Sequence, residues 1–62
     1  MIIIERSDSK HYAAYEPNSL GQEVFSVDAG EGLIYMAVWD RELTRKQAKN
    51  LKKALSAAIR VV

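Results

Sequence analysis

Six cations, Arg45, Lys46, Lys49, Lys52, Lys53 and Arg60, stand in the last third of a 62-residue chain, and no acid stands among them. Side chains of this kind hold carboxylates or phosphates by charge and by N–H donation. All eight acids precede Thr44, where only Arg6, Lys10 and Arg41 answer them. The first 43 residues therefore carry −5 and the last 19 carry +6, which a total of +1 conceals. Such polarity points to an acidic partner.

Bond-breaking chemistry has weaker candidates. There is no Cys nucleophile, and His11 is the only histidine. Ser7, Ser9, Ser19, Ser26 and Ser56 sit in no G-x-S-x-G setting. Gly30-Glu31-Gly32 lacks the G-x-G-x-x-G spacing of a phosphate loop and reads as a hairpin turn. Asp40 and Glu42 could act as an acid–base pair. Their place just before a helix start suits them better to the positive end of the helix dipole. A lone His11 near a turn is expected in solvent, with a metal or pH-switch role as the alternative. No catalytic residue, cofactor or metal is assigned, and a non-enzyme is expected.

The basic residues need a helix to gather them. Thr44-x-x-Gln47 is a capping box, and no Gly or Pro interrupts Arg45 to Val62, so a helix is expected over about 45–61. Leu43 and Ala48 are placed to act as a staple across its start. Ala48, Leu51, Leu55, Ala58 and Val62 form one apolar stripe, with Ala54 and Ile59 on its flanks. The six cations fall in an opposite arc of roughly 120° at about 100° per residue. Arg45–Lys49 and Lys49–Lys53 are like-charge pairs at i, i+4, which destabilise a helix by a few tenths of a kcal/mol each. Arg45, Lys46 and Lys49 also crowd the end where the dipole disfavours cations. Three readings of this face stay open: a solvated or self-complementing surface, an acidic protein partner, or nucleic acid. A pI of 8.1 is modest for a dedicated nucleic-acid binder, and no Arg-rich arm or helix-turn-helix pair is present.

Before the helix the pattern is β. Strands are expected at about 1–5, 10–16, 23–29 and 33–40, making an α+β fold: a small antiparallel sheet of three or four strands, then one C-terminal amphipathic helix. Met1 to Ile4 reads as a strand covered on both faces. Phe25, Val27 and Ala29 alternate with Val24, Ser26 and Asp28, and the glycines of Gly30-Glu31-Gly32 can supply positive φ to a hairpin. Leu33, Tyr35, Ala37 and Trp39 line one side of the next strand and Ile34, Met36 and Val38 the other, so both sides should be covered. Tyr35 and Trp39 are expected in the core or an interface.

One domain is expected, and its stability is a concern. A chain this short buries only about 60% of its unfolded surface. Without Cys there is no disulfide to support it, and one helix covers one sheet face. The other face, bearing Ile34, Met36 and Val38 or their alternates, is therefore expected to meet a second copy in a two-fold homodimer, sheet on sheet or with exchanged helices. Met1 to Ile4 is too short for a signal peptide, and the apolar run from Leu33 to Trp39 is too short to span a membrane, which takes about 20 residues. A soluble, cytoplasmic protein is expected.

Leu43-Thr44-x-x-Gln47-Ala48-x-x-Leu51-x-x-Ala54-Leu55-x-x-Ala58, following a strand, resembles the ending of small proteins of actinobacteria and their phages whose activity is unassigned. The resemblance covers about residues 33–62, and Arg45-Lys46 replaces the Pro-Glu usual there. A hairpin and helix ending in Ala58-Ile59-Arg60-Val61-Val62 is also similar to the oligomerisation domain of the mycobacterial nucleoid-associated silencers, without their DNA-binding domain. These resemblances imply self-association and a phage or prophage accessory role. The expected function is a small interaction protein that binds another protein through Arg45, Lys46, Lys49, Lys52 and Lys53. Sequence-nonspecific nucleic-acid binding by the same face is the alternative.

Overall fold

A computed structural model describes all 62 residues. Four strands run in sequence order, β1 (Ile3–Ser7), β2 (His11–Pro17), β3 (Glu23–Gly30) and β4 (Leu33–Val38), and α1 (Arg45–Val61) follows. Every neighbouring pair is antiparallel, so the sheet is a meander with order β1-β2-β3-β4. The fold is the expected α+β arrangement.

The β3–β4 turn is tight because its two central residues both take positive φ, Glu31 at 54° and Gly32 at 78°. This is the twist that matches flanking strands in a two-residue hairpin. The expectation that two glycines would supply it is corrected: Glu31 takes Gly30's role. Gly30 stays in the strand and pairs with both His11 and Leu33. Its lack of a side chain serves another end. A Cβ there would stand 2.9 Å from Cδ2 of His11, which lies across the glycine. His11 is half-buried by this contact rather than held out in solvent.

Helix α1 packs on β2 and β3. Tyr12 and Ala14 of β2 face Ala29 and Val27 of β3 across the ladder, and all four are buried. The helix contributes Ala54 and Ala58, each 0% exposed, and their small size lets it lie close on the sheet. Phe25, Val24 and Val27 are the largest fully buried side chains. Burial of each is worth about 1.5–3 kcal/mol. Only 9 of 62 residues are buried, so those three side chains carry much of the core.

Two register shifts shape the sheet. Between β2 and β3, Glu16 faces Phe25 while Pro17 faces Glu23, so Val24 is an extra residue in β3. Simple alternation would put Val24 opposite in direction to Phe25, yet both are buried. The bulge breaks the alternation locally and lets consecutive residues share the core. In β1 the pairing skips Glu5, between Ile4 and Arg6.

Several expectations fail at the sheet's flanks. β1 is an edge strand, and Ile4 is 57% exposed, so Met1 to Ile4 is not covered on both faces. On β4, Val38, Met36 and Ile34 face Phe25, Val27 and Ala29. They therefore lie on the same side of the sheet as the helix, not on the opposite side. They stay exposed because α1 spans β2 and β3 and stops short of β4. Tyr35 and Trp39 are 62% and 58% exposed, so of the two places expected for them the core is excluded and an interface is not. The helix stripe is also rotated from the expected one. Ala54 is central rather than flanking, whereas Ala48 and Val62 are exposed. Leu43 packs against the core, while Ala48, its expected staple partner, is exposed.

Candidate functional site

The cap fixes where the helix begins. Thr44 Oγ1 accepts from the Gln47 N–H at 3.1 Å, and Gln47 Oε1 accepts from the Thr44 N–H at 2.9 Å. Both bonds satisfy helix-end groups that would otherwise lack partners.

A polar tie then fixes how the helix is turned. Glu16 is 2% exposed, beneath the helix at the end of β2. Asn50 Nδ2 donates to its two carboxylate oxygens at 3.1 and 2.8 Å. The Met1 amino group donates to Oε1 as well. A buried carboxylate is tolerable only with such partners, and together they leave no buried side-chain polar atom unsatisfied. Sequence reasoning missed Glu16. A single acid between Tyr15 and Pro17 gives no signal of burial; the sole hint is that it continues the alternation of Tyr12 and Ala14.

With Asn50, Ala54 and Ala58 turned inward, the basic residues point out. Arg45, Lys46, Lys49, Lys52, Lys53 and Arg60 are all exposed. Lys49, Lys52, Lys53 and Arg60 border one open hollow with Ser56 and Ala57. Arg60 and Ser56 thus join the site, while Arg45 and Lys46 stand apart nearer the N-terminus. Arg60 lies about two turns beyond Lys52 and Lys53 on the arc that helical spacing already gave it.

The charge on this face is unanswered within the chain. The ion pairs are Met1 with Glu16, and His11 with Asp8 at 3.6 Å; no Lys or Arg makes one. The first helical turn holds no acid, and Arg60 is the sole basic residue of the last turn. Arg45 and Lys46 therefore sit in the turn where the dipole opposes them most.

A second hollow lies on the sheet face away from the helix, bordered by Arg6, His11, Asp28 and Tyr35 among others. Near it, Asp8 Oδ1 accepts from the N–H groups of Lys10 and His11 at 2.8 and 2.7 Å. These bonds, the Lys10 one first, hold its carboxyl below the ordinary 3.8. Asp8 is a turn former. Asp40 and Glu42 are exposed and precede the helix without a hydrogen bond between them.

Ile34, Met36 and Val38, the residues singled out for self-association, stand together on β4 as described. No helix is long and apolar enough to cross a membrane. No family model, curated protein or solved structure matches this chain.

Proposed function

We propose that this chain is a small, homodimeric, non-enzymatic interaction protein that binds an acidic protein through the outer face of α1. The observation that carries this reading is a helix with six exposed cations and no ion pair to any of them. Like-charge neighbours and an unfavourable dipole raise the free energy of that face when it is alone. A carboxylate-rich partner relieves both. The groups are mostly Lys, which suits a mobile charged surface better than a shaped pocket. A phage or prophage accessory role in the cytoplasm extends this reading, and it rests on the resemblance of residues 33–62 and on the lack of Cys.

Affinity capture from host lysate at low and high salt tests it. The wild type retains an acidic protein at low salt and releases it at high salt. Substituting Lys46, Lys49 and Lys53 together by Glu should abolish retention while circular dichroism stays unchanged. Equal retention by the substituted protein would rule out this face.

The hollow bordered by Lys49, Lys52, Lys53 and Arg60 favours a second reading, phosphate contact with nucleic acid. It would grip the backbone without reading bases. Binding should then fall with salt at a log–log slope of several units. The absence of any gel shift at low salt would reject it.

A further inference from the structure

The open edge of β4 is complementary to itself. Gly30 and Leu33 face each other across the two-residue turn, and the Trp39 N–H donates to the Val24 carbonyl at 2.9 Å. Residues 33, 35, 37 and 39 thus direct their backbone groups toward β3. Alternation in an antiparallel ladder leaves those of Ile34, Met36 and Val38 directed outward. Their side chains stand beside the helix, and those of Leu33, Tyr35 and Ala37 stand on the other face.

Nothing protects this edge. From Leu33 to Trp39 there is no charge, proline or glycine, and the pairing with β3 has no bulge. Natural edge strands usually carry such devices against pairing. Leu33, Ile34, Tyr35, Met36, Val38 and Trp39 are 55%, 36%, 62%, 54%, 42% and 58% exposed. That leaves on the order of 700 Å² of apolar side chain open on one copy, of which edge pairing covers the part beside the β4 edge.

We propose that β4 pairs antiparallel with β4 of a second copy, Met36 opposite Met36, making one continuous eight-stranded sheet. This deepens the homodimer of the preceding section and rests on it. In this register Ile34 faces Val38 of the second copy, and each of the three facing pairs exchanges two N–H···O bonds. The six outward-facing side chains join into one apolar strip. On the other face Leu33 meets Trp39, and Tyr35 meets Ala37. The two-fold axis stands perpendicular to the sheet, so both helices lie on one side. They are four strand spacings apart, about 19 Å. An acidic partner would then face two basic arcs turned in one direction.

Single cysteines test the register cleanly, because the chain has none of its own. Facing residues of a hydrogen-bonded pair have Cα atoms about 5.5 Å apart, within the range a disulfide needs. Ile34 and its copy would be offset by about 14 Å along the strand. Mild oxidation at micromolar concentration should therefore link Met36→Cys to a covalent pair of twice 7.0 kDa. Ile34→Cys alone and Val38→Cys alone should stay unlinked, and a mixture of the two should link. Sedimentation of the wild type is run beside them. A wild-type dimer in which Met36→Cys stays unlinked overturns the edge pairing and leaves the homodimer standing. Linking of Ile34→Cys alone at the same rate as Met36→Cys overturns the register. A wild-type particle of 7.0 kDa overturns both proposals.

Discussion

β1 and β4 are both edges of one sheet, and they are finished differently. β1 is interrupted at Glu5, carries Arg6 beside it, and runs next to the strand that holds the Glu16–Asn50 tie. β4 is regular, uncharged, and lies beyond the reach of the helix. A bulge and two charged residues leave the first edge unsuited to accept another strand. The second has no such feature. The difference teaches that apolar content alone does not mark the core. Seven of the residues from Leu33 to Trp39 are apolar, yet none is buried, whereas Glu16 is.

The contrast can be broken most strongly on the β1 side. Asn50→Ala removes the two donors that β4 has no counterpart to, and leaves a buried carboxylate with fewer partners. A loss of about 1–3 kcal/mol is expected in urea unfolding, the usual penalty for an unsatisfied buried group. An unchanged midpoint would mean that the tie contributes nothing.

A smaller effect sharpens the β4 side. Glu31 holds positive φ without being glycine, where Asn fits better. Glu31→Asn should raise stability by about 0.5–1 kcal/mol, given the strain of a left-handed residue. Loss of stability in thermal unfolding would show that the Glu31 side chain makes a contact of its own.

The smallest effect is electrostatic and sits in the β1–β2 turn. Asp8 is held below 3.8 in the folded chain, so the unfolded chain binds its proton first as pH falls. Its contribution is complete above that value and is lost as pH drops through the folded pKa. Asp8→Asn should flatten the acid limb of stability below about pH 4, where Asp ordinarily titrates. An identical profile in wild type and variant would show that the two bonds to Asp8 contribute nothing to the acid limb.

The elements were legible because their signals are local. Thr44 and Gln47 mark the helix start at three residues' distance, and Glu31-Gly32 stands between two β-rich runs. The strands end within two residues of where composition puts them. What could not be read depends on lateral placement. That the helix lies over β2 and β3 rather than β3 and β4 goes with long-range contacts such as Asn50 meeting Glu16, 34 residues away, and Ala54 and Ala58 joining the core with Tyr12 and Ala14. Val24 is buried through a bulge that alternation cannot foresee. For the candidate site, the arc of cations followed from spacing, because helical geometry repeats. Their lack of any partner in the chain needed the folded arrangement.

The turn at Glu31 and Gly32 has a consequence for inheritance. Surface hairpin loops are normally where a lineage gains or loses a residue at little cost. Here one added residue would exchange the two sides of β4 if the two-residue turn were kept. It would send Leu33, Tyr35 and Ala37 toward the helix side and turn a different set of amides to the open edge. This exposed bend should thus be among the least forgiving places in the molecule to change in length, whereas the outer face of α1 should tolerate many changes of residue type.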